Sequence, residues 1–439
     1  MVTAATGVLL TVLAALLGLS TCASAGFLCD LTQPLPAELP EVAPWKVVPL
    51  DPDYSGQWVV LEDVNADGEV EVISARNVNV GDVHYTSAVV VHRLDGSLLW
   101  RWGGRDLGRS ALHHDVACQV YDWDRDGRPE IVVCGDGELI ALDGARGSVK
   151  ARYPLPPQAT DCLVFANFSG GPAATDVLVK DRYDQIWAYD RNWNLLWTVK
   201  HPGGYRTAHQ PYPLDLDGDG CDEVMAGYAL LGPDGAVRWT LSSKQVDLRK
   251  GHLDCCRVMS RGERPEDWRL VMTTCGSSSM VMTDGLGKTI WEQTGLHFES
   301  LDLGKMRSDV PGLQIAVDDG HHPAGRGPVH LYDAEGARLG TWVMPYARFH
   351  AMLDWNGDGL AELLLPDPCV ISDGFGKPLV RLKVEDKGMK LVRTGDFTGD
   401  GVVDFALSTP TAVYVFRNPS RLQPSNHAPL GSGRNATLY

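Results

Sequence analysis

The chain has 439 residues, of which 44% are hydrophobic and 22% charged, so it can bury a large core and does not have the composition of a disordered protein. Its formal charge is −17, but many of the acidic residues lie in short repeated loops, where bound calcium would neutralise them. The charge therefore argues only weakly against nucleic acid. No basic run and no motif that reads DNA or RNA is present, so we expect no nucleic-acid partner.

The first 25 residues form a segment of their own. Residues 8–19 are apolar but too few to span a bilayer comfortably, and they precede Ala23-Ser24-Ala25, which has the pattern of a signal-peptidase site. We therefore predict a secretory signal peptide over 1–25 and a secreted or periplasmic protein. Cys22 lies in a lipobox-like context, so a lipid anchor at this residue is an alternative. No other membrane association is expected, and we expect a monomer.

Residues 26–50 are rich in Pro and Glu and are predicted to form a leader and part of a closing strand. Five acidic loops follow, each with oxygen-bearing side chains at the first, third, fifth and ninth positions and Gly at the sixth. Such alternation in a tight loop supplies the oxygen ligands that calcium prefers, and Gly permits the sharp turn. The flanks are strand-like rather than helical, so these are not EF-hands. The predicted calcium ligands are Asp63, Asn65, Asp67, Glu71, Asp122, Asp124, Asp126, Glu130, Asp215, Asp217, Asp219, Glu223, Asp354, Asn356, Asp358, Glu362, Asp396, Thr398, Asp400 and Asp404.

Weaker copies of the loop begin at Asn167, Asp254 and Asp302, which gives eight repeats with a mean spacing of roughly 48 residues. Asp-Gly turns between apolar runs recur in one phase of the repeat and predict hairpins. Each repeat therefore contains four strands. We predict an all-β fold, an eight-bladed β-propeller over 51–416 with calcium loops between strands. Seven blades are the alternative. The polar segment 417–439 is predicted to be a flexible tail.

Pairs of cysteines fall on predicted neighbouring strands. Cys118 with Cys134, and either Cys255 or Cys256 with Cys275, could form disulfides in an oxidising compartment. Buried free thiols are the alternative at each position.

The acidic loops resemble those of FG-GAP and VCBS-type calcium-binding propellers. More narrowly, residues 55–416 resemble the rhamnogalacturonan lyases of polysaccharide lyase family 11. Besides the loops, the resemblance rests on 141–147 (Ala-Leu-Asp-Gly-Ala-Arg-Gly), on 206–209 (Arg-Thr-Ala-His) before the loop at Asp215, and on 309–315 (Asp-Val-Pro-Gly-Leu-Gln-Ile). It implies a secreted, calcium-binding polysaccharide lyase that cleaves an acidic, rhamnogalacturonan-like polysaccharide or oligosaccharide by β-elimination.

Histidine recurs in one phase of the repeat, on or just before the first strand. Since the first strand of each propeller blade lines the central axis, these imidazoles are predicted to converge around one mouth of the channel. Such a ring could bind an additional metal ion, neutralise an acidic ligand or supply an acid–base pair. The residues predicted to bind at this face, besides those given catalytic roles, are His114, His297, His350, Arg182, Lys250, His321 and His322.

β-Elimination from a uronate needs a cation for the carboxylate, a base for the C5 proton and an acid for the departing C4 oxygen. As a hypothesis, the carboxylate is assigned to Arg206 and Lys180. The base is His209 or His252, and the acid is Tyr183 or Tyr212. Two alternatives remain: a non-catalytic propeller that binds carbohydrate or protein through the histidine-lined face, and an enzyme that uses a transition metal held by the histidines.

Overall fold

The computed structural model describes residues 26–80, 83–104, 117–243, 246, 251–320, 327–346, 348–420 and 434–437. The predicted signal peptide and Cys22 lie outside the described residues, as do His114, Lys250, His321 and His322. Within the described ranges, no helix has the length and apolar character needed to cross a membrane.

The described residues form an all-β, eight-bladed β-propeller, so the predicted fold is confirmed and the seven-bladed alternative is wrong. Three strands precede the blades: β1 (Phe27–Asp30), β2 (Glu41–Val42) and β3 (Lys46–Pro49). Blades 1 to 4 are β4 (Trp58–Glu62), β5 (Glu71–Val80), β6 (Val83–Arg93), β7 (Leu98–Gly103); β8 (Cys118–Tyr121), β9 (Glu130–Cys134), β10 (Glu138–Asp143), β11 (Val149–Pro154); β12 (Cys162–Ala166), β13 (Asp176–Lys180), β14 (Gln185–Tyr189), β15 (Leu195–Lys200); and β16 (Thr207–Leu214), β17 (Glu223–Gly227), β18 (Ala229–Leu231), β19 (Val237–Thr240).

Blades 5 to 8 are β20 (His252–Ser260), β21 (Arg269–Cys275), β22 (Ser279–Thr283), β23 (Thr289–Thr294); β24 (Phe298–Gly304), β25 (Gln314–Asp319), β26 (Gly327–Tyr332), β27 (Arg338–Met344); β28 (Ala351–Leu353), β29 (Glu362–Leu365), β30 (Val370–Ser372), β31 (Pro378–Leu382); and β32 (Leu391–Gly395), β33 (Asp404–Ser408), β34 (Ala412–Phe416). Two short 3₁₀ helices, Pro202–Gly204 and Pro265–Asp267, lie in connections. Blade 8 takes its fourth strand from β3, which pairs antiparallel with β34.

The N-terminal segment crosses the outer edges of three blades. In addition to the pairing of β3 in blade 8, β1 runs parallel to β27 of blade 6 and β2 runs parallel to β31 of blade 7. Residues from the two ends of the chain thus share one sheet in blade 8. This pairing closes the ring by completing the last blade with a strand from the start of the propeller.

Burial follows the position of a strand within its blade. Inner strands are covered on both faces by neighbouring blades, so β9 is buried throughout as Glu-Ile-Val-Val-Cys. Fourth strands lie at the rim, where β11 alternates between exposed and half-buried residues. The near-continuous apolar runs after each acidic loop are therefore the second strands of blades.

A repeated contact, which we call the indole latch, joins neighbouring blades at four of the eight junctions. A Trp from the fourth strand packs on a positive-φ Gly in the turn before the fourth strand of the next blade, and its Nε1 donates to a carbonyl there. The Trp and Gly pairs are Trp100 with Gly147, Trp197 with Gly235, Trp239 with Gly287, and Trp291 with Gly336.

Three blade junctions use other rings at the same place. Tyr153 stacks on Trp193 between blades 2 and 3, with ring centroids 4.9 Å apart. The N-terminal segment supplies two more: Phe27 packs on Gly376 of blade 7, and Pro49 packs on Gly96 of blade 1. In blade 6 the leader therefore fills the place where the fourth strand has Gly340 instead of a Trp, while Trp342 of the same strand donates Nε1 to Ser372 of blade 7.

The alternating strand direction gives the propeller two distinct faces. Connections from first to second strands and from third to fourth strands lie on one face, which we call the loop face because it carries the acidic loops. Connections from second to third strands, and from each blade to the next, lie on the other face, here called the mouth face. Residues at the start of first strands therefore point towards the mouth face.

Four residues of the C-terminal tail lie in the axial channel. The Asn435 side chain accepts from the backbone N–H of Phe165 at 2.8 Å and donates to its carbonyl at 2.7 Å. Gln119 donates to the carbonyl of Ala436 at 3.1 Å, and Arg393 donates to that of Thr437 at 2.8 Å. The prediction of a flexible tail is therefore wrong for 434–437, because the channel offers backbone and amide partners that no local sequence pattern reveals.

All nine described cysteines are free thiols. The pairings proposed from sequence, Cys118 with Cys134 and Cys255 or Cys256 with Cys275, are thus absent here, which corresponds to the buried-thiol alternative.

The indole latch predicts a specific sensitivity to added methyl groups. A Cβ on Gly287 would lie 2.5 Å from the Trp239 ring, at a φ of +83° that disfavours L-residues. Gly287→Ala should therefore destabilise the fold by about 2–4 kcal/mol, as strain and overpacking combine. The control is Gly137→Ala, which has a positive φ but no atom within 4 Å of the added Cβ, and should cost only about 1–2 kcal/mol. Equal losses in thermal unfolding would show that the latch contact adds nothing.

Candidate functional site

The mouth of the channel holds a compact group of two imidazoles and a carboxylate. His209 and His252 come from the first strands of blades 4 and 5, and their rings meet edge to face with centroids 4.6 Å apart. Nε2 of each lies near Oδ1 of Asp254, at 3.5 and 3.3 Å respectively. All three residues are buried. The ligand-type atoms of the three lie within 4.8 Å of one another, so they could hold a metal ion or act as an acid–base group.

A ring between two guanidinium groups covers this group. Tyr183, in the turn between the second and third strands of blade 3, lies 5.0 Å from His252 and 5.8 Å from His209, between ring centroids. The guanidinium carbons of Arg182 and Arg206 each lie 4.7 Å from the Tyr183 ring centroid. All three side chains are half-buried, so a ligand at the mouth would meet two cations and a phenol before the imidazoles.

Lys180 lies below this layer and does not reach the mouth. Its side chain is fully buried, and Nζ donates to Oδ2 of Asp161 at 2.7 Å and to the carbonyls of Asp181 and Arg182 at 2.9 and 3.0 Å. His84 contacts the other oxygen of Asp161. The assignment of Lys180 to a substrate carboxylate is therefore wrong, because its ammonium group is satisfied internally. Lys180 instead holds the turn that carries Arg182 and Tyr183.

A second group lies on the blade 6 side of Asp254. Cys275 Sγ is 3.5 Å from Nε2 of His297, and these two together with Asp254 form another cluster of ligand-type atoms within 4.8 Å. His297 Nε2 is also 3.3 Å from Glu299, which in turn is paired with Arg348. The His297 side chain is 26% exposed, so it is more accessible from the mouth than His209 or His252.

The remaining predicted residues line the deeper channel. His350 is buried, with Nδ1 2.7 Å from Asp302, and it borders a cavity of 230 Å³ that 434–437 also line. Tyr212 borders a neighbouring cavity of 380 Å³ with Asp254 and Arg257. Of the two acids proposed from sequence, Tyr183 contacts the imidazoles, whereas Tyr212 lies inside the channel.

Burial sets the charge states of these groups. It lowers the pKa of His209 well below its usual value, an effect reinforced by His252, so this imidazole is neutral at neutral pH. Burial also lowers the pKa of His297. Burial lowers the pKa of His350, but the hydrogen bond to Asp302 together with the charges of Asp302 and Asp318 gives a net rise. Neutral imidazoles at the mouth suit a general base or a metal ligand.

Sequence reasoning missed several residues of the site. Asp254 was placed at the start of a weak acidic loop, but it lies at the beginning of a first strand, and the connection to the second strand follows Ser260. Asp302 likewise lies within β24. The spacing of His252 and Asp254, two apart on one strand, was the available signal, because alternate residues share a face. Asp161, Cys275, Glu299 and Arg348 depend on contacts between blades and had no local signal.

The acidic loops lie on the opposite, loop face. In four of the five, one oxygen of the buried ninth-position Glu accepts a backbone N–H at the second position, such as Val64 to Glu71 at 3.2 Å and Trp355 to Glu362 at 2.7 Å. The other carboxylate oxygen of this Glu faces the side chains of the loop. Burial and neighbouring Asp side chains raise the pKa of Glu71 and Glu362 to about 7. Carboxylates that converge in this way fit a hard cation. In the fifth loop, both oxygens of Asp404 accept backbone N–H groups.

The fold and the site define an eight-bladed propeller with an axial group of imidazole, carboxylate, phenol and guanidinium side chains. No family model matches the chain. It is similar to two proteins of Bacillus subtilis strain 168, rhamnogalacturonan exolyase YesX, 24% identical over 381 residues, and rhamnogalacturonan endolyase YesW, 24% identical over 379 residues. Each alignment covers 71% of this chain but only 60% of YesX or 57% of YesW, so the chain spans less than two thirds of these curated relatives.

Among solved structures, Bacillus licheniformis rhamnogalacturonan lyase PL11 matches 84% of this chain and 75% of its own, with a TM-score of 0.59 and 19% identity. This likeness shows the propeller fold. The resemblance to rhamnogalacturonan lyases is thus supported at low identity, while the assignment to FG-GAP and VCBS-type propellers stays a prediction.

A buried carboxyl near the site predicts a pH effect on stability. Asp318 is fully buried, and burial raises the pKa of its carboxyl to about 7, with Asp254 adding to the rise and His350 opposing it. Between about pH 4 and 7 the folded chain therefore holds a proton that the unfolded chain has lost, so stability falls as pH rises through this window. Asp318→Asn should remove this contribution, whose ceiling is about 4 kcal/mol for three pKa units.

The asparagine Oδ1 can still accept the backbone N–H groups of Glu299 and Ser300 that Asp318 accepts. Melting temperatures at pH 5 and pH 8 should therefore differ less in Asp318→Asn than in the wild type. Asp319→Asn, on the adjacent residue, is the control for loss of a negative charge. A wild-type pH dependence retained in Asp318→Asn would contradict the prediction.

Proposed function

We propose that the protein is a secreted polysaccharide lyase that cleaves an acidic, pectin-type glycan of the rhamnogalacturonan class by β-elimination at the mouth of the propeller. The observation that carries the proposal is the layered site: the Tyr183 ring lies between Arg182 and Arg206 and contacts the buried imidazoles of His209 and His252. The similarity to YesX and YesW supports the substrate class.

The arrangement assigns a role to each layer. A uronate carboxylate that lies on Arg182 and Arg206 has its charge neutralised, so the C5 proton becomes more acidic and the enolate-like charge that develops is stabilised. A neutral imidazole accepts the C5 proton. The C4–O bond then breaks, Tyr183 protonates the departing oxygen, and the electron pair from C5 forms the C4–C5 double bond of an unsaturated uronate.

Three imidazoles are candidates for the base. His209 and His252 lie directly below Tyr183, whereas His297 is more exposed but lies across Asp254. Oδ1 of Asp254 lies close to Nε2 of both His209 and His252. Its Oδ2 has no hydrogen-bond partner among the described residues. We infer that Asp254 is a positioning residue that fixes the ring orientation of the base.

The lyase proposal predicts a rise in ultraviolet absorbance, from unsaturated uronate, during incubation with pectic rhamnogalacturonan in calcium buffer. Tyr183→Phe and Arg206→Ala should each lower the rate by roughly 10²-fold or more, because they remove a proton donor and a fixed cation. Matched controls lie away from the mouth: Tyr189→Phe, whose ring stacks on Trp193 on the loop face of blade 3, and Arg264→Ala, in the loop between the first two strands of blade 5.

Single alanine variants of His209, His252 and His297 would then identify the base. Full activity in all three would remove the imidazole from the mechanism. A flat trace with every uronate glycan, together with glycan binding that Arg206→Ala weakens, would instead establish the non-catalytic binding propeller. No turnover and no binding would overturn the glycan proposal altogether.

A second candidate function uses the same residues as a transition-metal centre. The observation that favours it is the donor set: two imidazoles, a carboxylate and the Cys275 thiol with His297, in two overlapping clusters that share Asp254. Nitrogen and sulfur donors suit zinc and other transition metals rather than calcium. In this alternative Asp254 bridges the two clusters, and the bound ion would supply Lewis-acid chemistry at the mouth.

We also propose that the acidic loops on the loop face bind calcium and thereby stabilise the propeller. Metal analysis of the purified protein tests both proposals at once. Calcium at several ions per chain, with a melting temperature that falls on chelation, would support the loops, since a metal bound only to the folded state stabilises it. Zinc that is lost in His252→Ala would support the second candidate, whereas calcium alone would exclude it. A melting temperature unchanged by chelation would contradict the calcium proposal.

A further inference from the structure

In blade 2, the ammonium group of Lys150 lies among the carboxylates of the acidic loop. Lys150 Nζ lies 2.5 Å from Oδ2 of Asp124, 3.1 Å from Oδ2 of Asp126 and 2.7 Å from Oε1 of Glu130. These are three of the four side chains predicted to ligate calcium in that loop. The ammonium group therefore occupies the place among the carboxylate oxygens that a bound ion would need.

The position of Lys150 in the repeat explains how it reaches the loop. The third and fourth strands of blade 2 shift register by one residue between Ala141 and Leu142, so Lys150 is the extra residue of a β-bulge. The same bulge recurs in the other complete blades. Its residues there are Leu99, Leu196, Arg238, Ile290, Leu339 and Leu379.

Only two of these bulge residues are basic, and they behave differently. Arg238 of blade 4 is turned towards Asp234, with Nη2 3.6 Å from Oδ1, and half of its side chain is exposed. No contact joins it to Asp215, Asp217 or Glu223. For the described residues, no Lys or Arg nitrogen lies within 4 Å of the carboxylates of the loops in blades 1, 4 and 7. Among the strong loops of the described residues, only the loop of blade 2 has an ammonium group between its carboxylates.

We propose that Lys150 is the permanent counter-ion of the blade 2 loop and excludes a metal ion from it, so that this blade is stabilised without calcium. The ammonium group makes three charge-assisted contacts. Because it is covalently part of the chain, its effective concentration at the loop is high, and a free metal ion would have to displace it. The inference rests on the proposal that the other strong loops bind calcium. It is an alternative to the sequence-based assignment of Asp122, Asp124, Asp126 and Glu130 as calcium ligands, although ligand-type atoms of Asp122, Asp124 and Glu130 lie within 4.8 Å of one another.

The first test counts calcium per chain by elemental analysis after equilibration in calcium buffer. Glu130→Gln should leave the count of the wild type unchanged, whereas Glu223→Gln, at the equivalent position of blade 4, should lower it by one. Lys150→Leu introduces the residue that blades 1, 3, 6 and 7 use at the bulge. It should raise the count by one, and Lys150→Leu combined with Glu130→Gln should lose that ion again.

The second test measures thermal unfolding and does not require the wild type to bind calcium anywhere. In chelator, Lys150→Leu should melt several degrees below the wild type, because three carboxylates then converge without a counter-ion. Added calcium should restore most of that loss. Arg238→Leu, at the matched position of blade 4, should show no such drop. An unchanged melting temperature for Lys150→Leu in chelator would overturn the counter-ion role.

The two proposals fail in different ways. A wild-type count that falls by one in Glu130→Gln would show that calcium displaces Lys150, which overturns this inference and leaves the calcium proposal standing. A count that responds neither to Glu223→Gln nor to Lys150→Leu would overturn calcium binding by the loops and, with it, the exclusion of a metal by Lys150. The melting experiment would then decide the counter-ion role alone.

Discussion

The contact on which this fold depends is the packing of an aromatic ring from one blade on a bare backbone turn of the next. A four-stranded blade has two apolar faces and cannot be stable unless both are covered. The indole latch supplies a fixed contact at the rim of the junctions, where the ring buries its face on a Gly and its Nε1 finds a carbonyl, as in Trp239 with Gly285 and Gly287. The first strands, which carry the site, keep their places because the rims are held.

The two faces of the propeller have different physical tasks. On the loop face, acidic side chains converge, and in blade 2 the ammonium group of Lys150 lies among them. On the mouth face, burial keeps the His209 imidazole neutral, and the cations are the partly exposed guanidinium groups of Arg182 and Arg206. Because every blade alternates strand direction, charge compensation and chemistry are separated by the full length of a strand. A change in one loop can therefore alter stability without touching the site.

Local patterns in the sequence predicted the parts of this protein that depend on local physics. The acidic loops, the hairpin turns and the number of blades follow from spacing within one repeat, and the phase of His209 and His252 follows from strand periodicity. Asp254 was misplaced because an Asp at the start of a strand and an Asp at the start of a loop look alike in composition. Lys180 was given the wrong role because its burial depends on contacts with Asp161 and Arg182, which the local sequence does not reveal. The contact of Lys150 with the acidic loop could not be predicted because it depends on a β-bulge.

The tail at Asn435 could not be predicted for a related reason, since its partners lie 270 residues away at Phe165. Its presence in the channel also has a consequence for how a long polymer can be handled. The charge of Arg434 acts on Asp222 of the loop face, and Arg393 donates to the carbonyl of Thr437 inside the channel. Residues 434–437 thus take up part of the axial channel and line the two cavities there. In the proposed lyase, a glycan that reaches the channel from the mouth would meet residues 434–437 before it could pass through the ring.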